Sequence, residues 1–176
     1  GNHTNAPTNP GQQGIALHDI NFCRPYTTLA VTKVSSVISD PVNGTSNPKA
    51  IPGALIEYLI TVSNTGSDNT DGNTVIITDD APADAKMCLA NLVGPGSGPV
   101  LFSSGSPASG LGYSFIALGN TTDNLQFSAD GGTTWNYTPT PDADGCDPAV
   151  SDFRVRPTGV LIAGRAATVR ARFMVK

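Results

Sequence analysis

IPGALIEYLITVSNTG, residues 51–66, is the stretch that decides the architecture. Ile56, Tyr58, Ile60 and Val62 fall on one side of a two-residue repeat, and Glu57, Thr61 and Ser63 on the other, which is the pattern of a half-buried β-strand. Pro52-Gly53 punctuates its start and Asn64-Thr65-Gly66 its end. In the next apolar stretch Val75 and Ile77 alternate against Thr74, Ile76 and Thr78. The two are expected to be consecutive antiparallel strands sharing one core face. Leu55 and Leu59 lie on the outer face of the first and call for cover from a loop or another chain.

Working outward, the composition agrees with an all-β chain. Gly and Pro number 19 and 14 in 176 residues, charged residues are sparse, and Glu57 is the only Glu. Long helix-forming runs are missing, so an all-β domain with many turns is expected. A chain of this length buries about two-thirds of the surface it exposes when unfolded, enough for a core without a cofactor. The net charge of −4 argues against a nucleic-acid partner. No apolar run approaches the ~18 residues of a membrane-spanning helix, so no membrane insertion is expected. The sequence opens on Gly1 with no Met before Met87, which reads as a processed product; a removed export signal would explain that, and so would trimming of the chain.

Three cysteines in such a chain suggest an oxidising compartment. Cys88 follows the turn Asp79-Asp80-Ala81-Pro82, and Cys146 sits in the loop PDADGCDP. Both precede expected strands, so a Cys88–Cys146 disulfide is predicted. Cys23 is then free, joined to another chain, or the true partner of one of the two.

Two regions follow from a pass along the chain: an arm, residues 1–28, and a body, residues 29–176. Residues 1–14 are small, polar and punctuated by proline. Ile15-Ala16-Leu17-His18-Asp19-Ile20-Asn21-Phe22 is a short apolar strand, with Ile15 and Leu17 in one parity and Ile20 and Phe22 in the other; a bulge near Asp19 would reconcile them. It is either the first strand of the body's own sheet or a strand that completes the sheet of a neighbouring copy by β-strand addition. The next strand is expected over Leu29–Ile38, a bulged edge strand with its irregularity at Lys33-Val34. Residues 39–50, SDPVNGTSNPKA, are turn chemistry. Short strands are expected at Val100–Phe102, Tyr113–Leu118 and Leu125–Phe127, then a turn at Asp130-Gly131, with Trp135 and Tyr137 on the core edge. Phe153 and Val155, and later Ala167, Val169, Ala171, Phe173 and Val175, give the cleanest alternation.

Val31-Thr32-Lys33, the run Ser39 to Gly66, Val75-Ile76-Ile77-Thr78-Asp79 and Ser128-Ala129-Asp130-Gly131-Gly132-Thr133-Thr134-Trp135 together resemble the conserved-repeat, Ig-like domain of bacterial surface and secreted proteins, a family of unknown function. The resemblance covers roughly residues 29–176 and is most specific in NPKAIPGA…Y.ITVSNTG and ITD. It implies an immunoglobulin-like β-sandwich, exported to the envelope or beyond, and carries no catalytic residues. That family occurs as tandem repeats, whereas this sequence has one copy behind an arm. Surface domains of this kind can carry a Lys–Asn isopeptide bond; Lys33 with Glu57 as helper acid fits the position, but the final strand offers no Asn or Asp partner.

Candidate chemistry is thin. The two histidines, His3 and His18, lie in the arm, away in sequence from any nucleophile, and no paired carboxylates suggest glycoside hydrolysis. An enzyme is not expected. Asp142, Asp144 and Asp147 resemble a calcium loop without its closing Glu, a weak candidate; no other cofactor is implied. From Glu57 to Asp152 the only basic residue is Lys86, and from Arg154 onward every charge is basic. Arg154, Arg156, Arg170 and Arg172 are therefore candidates for a basic face that docks on the acidic region of the next copy, unless acids of the same chain satisfy them. The expected function is a structural subunit of a bacterial cell-surface or extracellular filament, a homopolymer in which Ile15, Leu17, Ile20 and Phe22 plug a neighbour and Cys23 locks the joint. The alternative is an adhesin or carbohydrate-binding module using Tyr113, Trp135 and Tyr137 as stacking aromatics.

Overall fold

The structure is a computed structural model and describes residues 24–176. The arm strand Ile15–Phe22, both histidines and Cys23 lie outside the described residues. Those described form an all-β sandwich, with no helix among them. The strands are β1 (Leu29–Ser39), β2 (Leu55–Asn64), β3 (Ile77–Asp80), β4 (Ala85–Cys88), β5 (Val100–Ser103), β6 (Leu111–Gly112), β7 (Leu125–Ser128), β8 (Cys146–Asp147), β9 (Asp152–Val155), β10 (Thr158–Gly159) and β11 (Ala166–Val175). One sheet runs β1-β2-β11-β4-β8, with β5 also paired to β11; the second runs β3-β9-β7, and β6 and β10 form a small ribbon. All the pairings are antiparallel.

Residues of one parity from each sheet meet in the core. Ile60 and Val62 of β2, Val169, Ala171 and Phe173 of β11, Met87 and Val100 face Ile77, Leu125, Phe127, Phe153 and Val155 of the other sheet. Phe173 links the layers, with its ring centroid 5.4 Å from Tyr58 and 6.5 Å from Phe153. These alternations match the sequence pattern in β2, β9 and β11. On the outer face of β2, Leu55 and Leu59 are half-buried beside Met174 and between Val34 and Arg170.

Three expectations are corrected. The stretch after β2 does not pair with it: β3 crosses to the second sheet and pairs with β9, carried there by the polar loop Ser67–Asn73. The irregularity of β1 lies between Val37 and Ser39, not at Lys33-Val34. Tyr113–Leu118 is not a strand, because its donors are taken by side chains instead of a ladder: Ser114 N–H donates to Asn124 Oδ1, and Ile116 N–H to Asp123 Oδ2.

The Asp-rich loops hold their shape in the same way, as short carboxylates do in turns. Asp40 accepts from the N–H groups of Val42, Asn43 and Lys49 at 2.6–2.7 Å, organising the turn-rich segment before β2. Asp130 accepts from Thr134 N–H and from the Ser128 and Thr134 hydroxyls. The predicted Cys88–Cys146 disulfide is formed and ties β4 to β8. Closing a loop of 58 residues stabilises the fold by roughly 4 kcal/mol in the chain-entropy model.

Hydrogen bonds from the Asn43 backbone and the other turn donors hold the Asp40 carboxyl down at about 2, and those from Thr134 and Ser128 hold Asp130 at about 2 as well. An unfolded Asp titrates near about 3.9. The stability contributed by both groups is therefore complete above about pH 4 and is lost as pH falls toward about 2. Urea titrations at stepped pH should show that decline, and Asp40→Asn should be less stable than the parent at pH 7 but show a shallower slope between pH 4 and pH 2; an unchanged slope contradicts the assignment.

Candidate functional site: a groove between two open sheet edges

Among the described residues β1 is the outermost strand of its sheet and β3 of the other, and the two free edges face each other across a groove. Its walls are Leu29, Val31 and Lys33 of β1 and Val75 to Asp79 on the β3 side, with Ile60 and Val62 behind, and it encloses about 190 Å³. The register explains its character. Val31 pairs with Val62 and Lys33 with Ile60, so Leu29, Val31 and Lys33 point to the same side as the core residues of β2. Yet Val31 is 62% exposed and Leu29 45%. They are core-facing side chains that none of the described residues covers.

The backbone is open there too. Thr65 N–H donates to the Thr28 carbonyl, so the even-numbered residues of β1 hydrogen-bond toward β2. The N–H and C=O groups of Leu29, Val31 and Lys33 consequently point to the free edge. On the other wall Ala81 N–H donates to Ser151, which directs Thr78 to the free edge of β3. An unpaired edge beside uncovered apolar side chains is a template for an added strand.

Lys33 spans one end of the groove. Its ammonium lies 2.5 Å from Asp79 Oδ1 and 4.5 Å from the Tyr58 ring centroid. Asp79 is 9% exposed, and its Oδ2 is buried without a hydrogen-bond partner among the described residues, which is costly unless something supplies a donor. Asp79 was not among the partners expected for Lys33. The signal was its parity: Asp79 shares the core-facing side with Ile77. Glu57, considered beside Lys33 from the sequence, lies on the opposite face of β2, where it accepts from Arg172 at 3.0 Å and Arg170 at 3.5 Å.

The other sequence candidates do not converge on a site. The four arginines do not form one face: Arg170 and Arg172 share Glu57 on the outside of one sheet, while Arg154 on the other donates to Gln126 and lies 4.4 Å over Trp135. Arg156 is exposed beyond the end of β9. Nor do the three loop aspartates form one ligand set. The Lys86 ammonium sits between Asp142 and Asp144, at 2.6 and 2.5 Å, and Asp147 turns instead to Tyr137 Oη and the N–H groups of Thr140 and Ala149. Lys86 holds the Asp142 carboxyl below its usual range, and the two carboxylates raise Lys86 in turn. Among the described residues no group of His, Cys, Asp or Glu is arranged to hold a metal. The three aromatics are also engaged within the chain: Tyr113 stacks on Phe102 at 5.5 Å, Trp135 carries Arg154, and Tyr137 donates to Asp147.

What the fold and groove define is a β-sandwich whose two sheets are left unbridged along one side. No protein-family model, curated protein or solved structure matches the chain.

Replacing Lys33 by Met leaves the Asp79 carboxylate, already short of one partner, with none across the groove. Lys33→Met should cost about 2 kcal/mol in urea unfolding at pH 7, and adding Asp79→Leu should recover most of it. If the double variant is as unstable as the single one, the pair does not work as described.

Proposed function

We propose that this protein is a structural subunit of an extracellular or cell-surface filament, a homopolymer in which the arm of one copy adds a strand to the body of the next. The observation that carries this reading is the groove: Leu29 and Val31 face the core side of their sheet but are exposed, between two strand edges that have no partner among the described residues. Strand addition answers both needs at once. Main-chain hydrogen bonds close the edge, and alternate apolar side chains cover the floor. Fully covering a Val or Leu contributes roughly 1.5–3 kcal/mol per side chain. The arm contains an apolar segment of strand length, Ile15–Phe22, behind a polar leader. A donor at one end and an acceptor on the body is a head-to-tail contact, which propagates as an open polymer unless the rotation closes a ring.

The disulfide supports an oxidising, extracytoplasmic destination. The role is structural, and the reading involves no catalytic residue or cofactor.

Removing residues 1–22 should leave a folded monomer, because the described core uses none of them, and should abolish filaments seen by electron microscopy of the full chain. Val31→Asp, at a position exposed in the free subunit, should likewise fold and fail to polymerise. Filaments of normal yield from either variant would contradict the proposal.

A further inference from the structure

Resting on the polymer reading, we propose that His18, Ile20 and Phe22 of a second copy occupy the groove, antiparallel to β1, with the His18 imidazole donating to the unpartnered Oδ2 of Asp79.

The groove is graded along its length. Lys33 meets Asp79, and the remaining walls are Leu29 and Val31 with Val75 and Ile77, not residues beyond Lys33, so β1 and β3 run the same way along it. Counted in two-residue steps, it has an apolar tier at Leu29 and Val75, a second at Val31, Val62 and Ile77, and a charged tier at Lys33 and Asp79. Five strand residues span about 13 Å, so one unbulged segment with three alternate side chains fills it. Ala16, His18, Ile20 and Phe22 share one face of the arm strand. Set antiparallel, Phe22 falls on the first tier, Ile20 on the second and His18 on the third. The two apolar side chains then meet apolar walls, and a ring N–H arrives where a buried carboxylate oxygen lacks a donor. The opposite face could bring Gln13, Ile15 and Leu17 to the same tiers, but it leaves the bulkier pair, Ile20 and Phe22, in water. With Asp19 at the charged tier that face would set one carboxylate against another.

The geometry also selects a second copy over the chain's own arm. Upstream of Leu29 the chain runs straight on, with the Thr28 and Tyr26 carbonyls accepting from Thr65, Ser67 and Asp68 N–H. Gly66 is needed for this approach, since a Cβ there would lie 2.3 Å from the Tyr26 carbonyl oxygen. To place its own Phe22 opposite Leu29, the chain would have to reverse and return about 10 Å on Cys23, Arg24 and Pro25. Arg24, preceding a proline, is held out of the helical conformations a tight reversal uses.

The test is a pair of full-length chains, both with Cys23→Ser: one carrying Ile20→Cys and Val31→Cys, the other Ile15→Cys and Val31→Cys. Directly opposed residues in a hydrogen-bonded antiparallel pair have Cα atoms about 5.5 Å apart, within reach of a disulfide. After mild oxidation, a non-reducing gel of the first chain should show a ladder of covalent multimers, and of the second only monomer. A fast-migrating monomer from the first chain means the arm fills its own groove and overturns the proposal. A ladder from the second chain alone, or from neither, overturns the register. Electron microscopy of the unsubstituted chain separates the two levels: filaments without the Ile20 ladder sink this inference alone, whereas no filaments at all sinks the polymer reading on which it rests.

Discussion

The structure is organised around an incomplete contact. A sandwich is stable when each sheet buries one face against the other and each strand edge is paired, covered or blunted. Here β1 and β3, the outermost described strands of the two sheets, leave a groove between their edges. Leu29 and Val31 have the register of core residues and the exposure of surface residues. The Lys33–Asp79 pair spans the groove at one end but leaves one buried carboxylate oxygen unsatisfied. Incomplete apolar cover, unpaired backbone and an unfilled acceptor all occur at one place.

The rest of the molecule is well satisfied without help. Phe173 anchors a core that takes side chains from both sheets. The long loops are clamped by aspartates that accept backbone N–H groups, and the outward arginines of β11 find Glu57. That contrast gives the groove its meaning: the described residues supply partners nearly everywhere else and leave them out along one edge. The apolar segment of the arm, added from another copy as proposed, would convert that edge into a joint between subunits, with affinity from main-chain pairing and specificity from the alternate side chains.

Much of the body was legible because alternation is a local signal. β2, β9 and β11 read directly from parity, and the Cys88–Cys146 link from cysteine placement and flanking turns. The partner of β3 was not legible, since nothing local records whether a loop returns a strand to its neighbour or carries it to the facing sheet. Tyr113–Leu118 has strand composition but spends its donors on Asp123 and Asn124, a long-range choice that propensity does not contain. Arg170 and Arg172 looked unpaired because the acid they share, Glu57, is more than a hundred residues away in sequence and adjacent in the sheet. The groove itself is a product of two edges brought together by topology, so it could not be read from sequence.

The central claim is that the body lacks one strand until another copy supplies it. Amide hydrogen exchange of the free subunit against the assembled material tests this most directly. Leu29, Val31, Lys33 and Thr78 amides should exchange freely in the subunit, and those of β1 should become strongly protected on assembly while the β2–β11 ladder stays protected in both. Protection of the Leu29, Val31 and Lys33 amides already in the isolated monomer would mean that the edge is filled from within, and would contradict the account.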